Sequence, residues 1–200
     1  PIERWDQAFA LTLGREPCNP QPHQYTKFFK KDIGYTDGFI TYSDGSHDDV
    51  NKVVWSQLGW NSKQDVRDII FEYCQFFFGP KVAEEATKGI FALEQNWVGP
   101  ALGNEVITET LNLWQKMETQ NPELADNWRW QQLVMRAYYD AYIQERLTYE
   151  KGLESKAYNV LAKADSIGTE KAINEALVYL EKTDTELVAQ DLKQKVFDYA

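Results

Sequence analysis

From 63 to 78 the apolar residues Val66, Ile69, Ile70, Tyr73 and Phe77 recur at three- and four-residue spacing, the stripe of a helix with one face in a core. Gly79 ends that pattern. Pro80 suits the first turn of a second helix reaching to 97, with Val82, Ala86, Ile90, Leu93 and Trp97 on one face. A third follows Gly103 through Ile107, Leu111, Trp114 and Met117. Residues 127–164 hold no proline and a single glycine, Gly152. Trp130, Val134, Ala137 and Ala141 give this segment one stripe, and Leu153, Ala157 and Leu161 continue it, so one long helix is expected, with Gly152 as its natural bend. Two shorter helices, at 169–182 and 184–199, finish the chain. Residues 62–200 are thus expected to form an antiparallel helical bundle with Trp97 and Trp114 in its core.

The first 60 residues read differently, being rich in Pro, Gly, Asn and aromatic side chains. They hold one strand pattern, GFITY at 38–42, between a helix at 22–31 and another opening at Asp48. One strand cannot make a sheet. The order helix, strand, loop, helix is that of the last βα unit of a parallel α/β sheet or (β/α)8-type barrel whose other strands lie outside these residues. The expected fold class is therefore mainly α, with 1–61 closing a catalytic barrel and 62–200 forming a C-terminal helical domain. No repeat of fixed period joins the helices, which argues against a tetratricopeptide-like array.

Composition changes this picture mainly by exclusion. With 43% hydrophobic and 26% charged residues the 200-residue chain is a folding sequence rather than a disordered one. Its 21 Lys+Arg against 31 Asp+Glu leave a net charge of -10, and residues 1–60 carry only 6 and 8 of these, so the acidity belongs to the helical part. Nucleic acid and anionic membrane surfaces need clustered cations, and Lys27, Lys30 and Lys31, the basic cluster present, read as a solvated helix face. No run of about 18 uncharged apolar residues offers a membrane span. The chain opens at Pro1 with no charged-then-apolar leader, which points to processing or to a piece of a longer polypeptide. Cys18 and Cys74 could pair as a disulfide. Two cysteines at unrelated spacing with only two histidines make no metal site, and no other cofactor is called for.

If 38–42 is a barrel strand, the loop SDGSHDD at 43–49 lies at its C-terminal end, the face on which barrel enzymes carry their active sites, and residues 1–21 open on the same face. This gathers Arg15, Glu16, Tyr42, Asp44, His47, Asp48, Asp49 and Asn51, a set suited to a polyhydroxylated ligand or to acid-base work on one. A structural reading competes, because Ser46, Asp48 and Asp49 are also what a helix N-terminus prefers. Asp49 fits the cap best, whereas Asp44 and His47 sit in a loop too polar to need them for packing. Among the tryptophans, Trp55, Trp97 and Trp114 fall on apolar stripes and read as core, while Trp5 and Trp128 are the better placed for a ligand. Tyr138, Tyr139 and Tyr142 lie too close on one helix to face a single direction.

The segments GFITYSDGSHDDVNKVVWSQLGW at 38–60 and NWRWQQLVMRAYYDAY at 127–142 resemble the C-terminal part of large bacterial glycoside hydrolases, barrel glycosidases of the α-glucuronidase and β-N-acetylhexosaminidase type. WDQAFALTLGRE at 5–16 and FFGPKVAEEATKGIFALEQNW at 77–97 extend the likeness over nearly the whole chain. The resemblance implies a barrel ending near residue 60 beside a helical domain, a carbohydrate substrate, the rest of its own barrel as partner, and a periplasmic or extracellular location. It maps no catalytic acid or nucleophile onto these residues, since in such enzymes the principal carboxylates commonly lie on earlier strands. The expected function is thus a substrate-binding loop and helical support within a glycoside hydrolase. The alternatives are a non-catalytic helical glycan-binding or scaffold module, and a purely structural bundle.

Overall fold

The computed structural model describes residues 18–42 and 48–199. Among these the secondary structure is helical throughout: α1 (Pro22–Asp32), α2 (Asp49–Trp60), α3 (Val66–Phe78), α4 (Ala83–Gln95), α5 (Glu105–Gln120), α6 (Trp128–Leu161), the single turn α7 (Ala164–Ile167), α8 (Thr169–Thr185) and α9 (Gln190–Asp198), with 3-10 turns at Ile33–Tyr35 and Pro122–Leu124. The protein is mainly α, as its periodicity predicts.

The helix ends follow local chemistry. Asp65, Asn104 and Asn127 each precede a helix in extended backbone and accept the N–H two residues on, at 2.8, 3.1 and 3.0 Å, which satisfies a donor the helix itself cannot pair. Gly79, at φ 91°, stops α3 in a conformation open to glycine and costly for other residues. Short connections fold the helices from α2 to α6 back on one another in turn, so that α2 packs on α3, α3 on α4, α4 on α5 and α5 on α6, and α1 packs on α2. Helix α6, 34 residues and about 50 Å long, is the spine. Its first half buries Trp130, Leu133, Val134, Ala137 and Tyr138 in the main core, which also takes in Phe29, Val54, Leu58, Ile70, Ile90 and Trp114. Its second half buries Leu153 and Ala157, and along this half runs α8, which buries Ala172 and Ala176. One core cluster extends from Cys18 and Phe29 through to Leu192 and Val196.

Two expectations are corrected, and the open question of a disulfide is answered. Residues 38–42 form no strand, and among the described residues there is no strand at all, so no βα unit of a barrel is present there. With no neighbouring strand to take its N–H and C=O groups, the segment lies in water: Ile40 is 99% and Tyr42 88% exposed. Of its large side chains Phe39 alone packs inward, edge-on to Phe29 and Trp55 with ring centroids 5.9 and 5.7 Å apart. Trp97 is not core but 46% exposed, because α4 ends at Gln95 and the residue falls in the following turn, off the buried stripe. Trp114 is fully buried, as expected. Cys18 and Cys74 are both buried and free, so no disulfide joins them.

Candidate functional site

Of the residues singled out by sequence, Arg15, Glu16, Asp44 and His47 lie outside the described residues, as does Trp5. Tyr42 and Asp48 come together. They line a pocket of about 220 Å³ between α1, residues 40–42 and the start of α2, along with Tyr25, Asn51, Lys52 and Trp55. Asn51 is buried and holds the wall in place: its amide donates to the Asn19 carbonyl and accepts from the Gln21 N–H, both at 2.8 Å, tying the chain before α1 to α2. Tyr25 and Trp55 meet edge to face with centroids 6.1 Å apart. Burial, and then the Asp48 carboxylate, hold the Tyr25 hydroxyl above its ordinary pKa, so it stays a neutral donor. The Trp55 indole N–H is buried without a hydrogen-bond partner. Tyr25, Lys52 and Trp55 were missed as site residues. Lys52 and Trp55 share α2 with Asp48, its N-cap residue, and three- and four-residue spacing was the available signal; nothing in the sequence points to Tyr25.

Asp49 does something else. It neither lines the pocket nor caps α2, of which it is the first residue; Asp48 holds the N-cap position and makes no side-chain cap bond either. The Asp49 carboxylate instead takes Arg129 in a forked pair, Nε to Oδ2 at 2.8 Å and Nη2 to Oδ1 at 3.3 Å, and accepts the Tyr73 hydroxyl at 2.7 Å. Arg129 lies 3.8 Å from the Phe77 ring centre and 4.1 Å from that of Trp128, so the half-exposed Trp128 is a platform for a guanidinium. Burial and Asp49 together push the Tyr73 hydroxyl well up. These contacts join α2, α3 and α6 across 80 residues of sequence, which makes Asp49 part of the scaffold beneath the pocket.

A second polar group is wholly enclosed. Arg136 is 0% and Asp140 4% exposed, and they pair one helical turn apart through Nε and Oδ1 at 2.7 Å. Asp140 also accepts the Asn96 amide at 2.8 Å and the Trp97 indole N–H at 3.1 Å, while Arg136 donates to the Cys18 carbonyl and lies under the Trp97 ring at 4.6 Å. Burial moves the Asp140 carboxyl above its ordinary pKa, against the opposing pull of Arg136, Asn96 and Trp97. Among the described residues no group of three or more His, Cys, Asp or Glu could hold a metal ion, and no helix is long and apolar enough to cross a membrane. No family model, curated protein or solved structure matches the chain.

Proposed function

We propose that this chain is a helical carbohydrate-binding part of a glycoside hydrolase, and that the pocket between α1 and α2 holds one sugar ring. The observation that carries this reading is that one pocket is lined both by Trp55, whose indole N–H is buried without a partner, and by Asp48, whose carboxylate can accept. A hydroxyl both accepts and donates, so a polyol satisfies both, while Tyr25 and Tyr42 offer ring faces to its C–H edges. The volume equals that of about seven waters, the scale of a single ring rather than of an oligosaccharide. In this reading the catalytic carboxylates come from other segments. The absence of a strand at 38–42 favours the second reading, a non-catalytic glycan-binding module, which uses the same pocket without a barrel.

The test is a titration with N-acetylglucosamine, glucose and glucuronic acid, following the Trp55 indole N–H by NMR. Saturable shifts with one of these, weakened about tenfold in Trp55→Phe and in Asp48→Asn at unchanged thermal stability, are expected for the loss of one hydrogen bond each. A Trp55 signal that no sugar moves would sink the proposal. Glycosidase activity against aryl glycosides of the same sugars separates the two readings.

A further inference from the structure

Beside the Arg136–Asp140 pair lies a second cavity, of about 170 Å³, whose walls include Asn96, Trp97, Ala101, Ile107, Asp140 and Ile143. Its body is apolar and its polar end is made of two nearly enclosed side chains, Asn96 at 3% and Asp140 at 4% exposure. The hydrogen bonds of that end leave a specific vacancy. Asp140 Oδ1 is saturated by Arg136 and Trp97, whereas Oδ2 accepts from Asn96 alone and keeps one lone pair. One N–H of the Asn96 amide goes to that carboxylate, which fixes its orientation, and its Oδ1 is buried with no partner. A buried carbonyl oxygen without a donor is a cost that a bound donor would remove.

We propose that this cavity binds a small neutral molecule with an apolar body and one hydroxyl or amino donor, of about the size of phenol. Size is one argument: an apolar protein cavity of about 150 Å³ accommodates a benzene ring. Polarity is the other. The polar end holds two open acceptors, Asn96 Oδ1 and the second lone pair of Asp140 Oδ2, which a donating ligand satisfies; a carboxylate meets the charge of Asp140, and a hydrocarbon leaves Asn96 Oδ1 unpaired. Charge gives no preference for a cation, since Arg136 already neutralises Asp140. The half-exposed Trp97 indole forms one wall of the cavity. This site is separate from the pocket of α1 and α2 and stands or falls independently of it.

The test uses the intact chain with labelled isoleucine methyl groups, titrated with phenol, toluene and benzoate. Saturable shifts of the Ile107 and Ile143 methyls with phenol, about tenfold weaker binding of toluene, and no response to benzoate are expected. Ala101→Phe, which fills the cavity, should abolish the phenol shifts; should that variant not fold, intermolecular NOEs from phenol to both methyls in the native chain give the same answer. Phenol failing to saturate those methyls overturns the proposal. So does toluene binding as tightly as phenol, which would mean that the acceptor end recognises nothing.

Discussion

Arg136 and Asp140 face each other one turn apart on α6 with their Nε and Oδ1 atoms 2.7 Å apart, and both side chains are buried. A pair so enclosed has lost the hydration of both ions, so its net contribution is small compared with the harm of breaking it. Arg136→Met strands a buried carboxylate with two other donors, Asn96 and Trp97, arranged around it and should cost about 3–5 kcal/mol in urea unfolding. Adding Asp140→Leu to that variant should cost little more, because it removes the stranded charge. A double variant much less stable than Arg136→Met alone would show that the Asn96 and Trp97 bonds to Asp140, not the ion pair, hold this region.

Asp49 separates support from recognition. Tyr73→Phe removes one hydrogen bond to its carboxylate and should cost about 1 kcal/mol, and Asp49→Ala, which leaves Arg129 without its fork, about 2–3 kcal/mol. Tyr73→Phe should leave sugar affinity at the neighbouring pocket unchanged. Reduced affinity at unchanged stability would instead put Asp49 in the binding surface.

The helices were legible because each needed only local signals. The three- to four-residue stripe, Gly79, and the Asx residues at 65, 104 and 127 act within a turn or two of where they sit. What failed depended on partners far along the chain. Asp49 looks like a cap until Arg129 is beside it, and Trp97 sits on the α4 stripe by counting yet lies two residues past the end of α4. Glu94 is the clearest case. It reads as a charged position near a helix end, yet it is buried and accepts the N–H groups of His23 and Gln24 at 3.1 and 2.9 Å, and also the His23 ring, so it caps α1 across about 70 residues of sequence where Gln21 provides no side-chain cap. The strand pattern at 38–42 was a fair statement of propensity, but pairing is supplied by other strands and none is among the described residues. For the pocket, sequence provided Tyr42, Asp48 and Asn51, and only folding brought Tyr25 to them.

Two glycines inside helices should respond to alanine in opposite directions. At Gly152 an added Cβ meets nothing within 4 Å, so Gly152→Ala should stabilise by about 0.5–1 kcal/mol through helix propensity alone. At Gly89 the same atom would lie 2.8 and 2.9 Å from two ring carbons of Trp114, whose indole N–H also donates to the Gly89 carbonyl. Overpacking a fully buried indole costs about 1–3 kcal/mol and outweighs the propensity gain, so Gly89→Ala should destabilise. Urea midpoints of the two variants moving in the same direction would contradict this.

Alkaline pH should unfold the protein through its thiols. Burial pushes both Cys18 and Cys74 from an ordinary 9.0 up to about 12, and burial likewise takes the Tyr138 hydroxyl from 10.0 to about 12. The folded state therefore keeps protons that the unfolded chain releases. For groups raised in this way the stabilisation is complete below the unfolded pKa and is lost as pH climbs to the folded one, so stability should be flat to about pH 8 and fall between about 9 and 12. Each thiol contributes a slope of about 1.4 kcal/mol per pH unit within that window. Urea midpoints at pH 7 to 11 should trace the fall, and replacing both cysteines with alanine should flatten its first part. Neither thiol should react with a disulfide reagent at pH 8 until denaturant is added, because a buried neutral thiol is no nucleophile. Rapid labelling of the native protein at that pH would refute the assignment of both cysteines to the closed core.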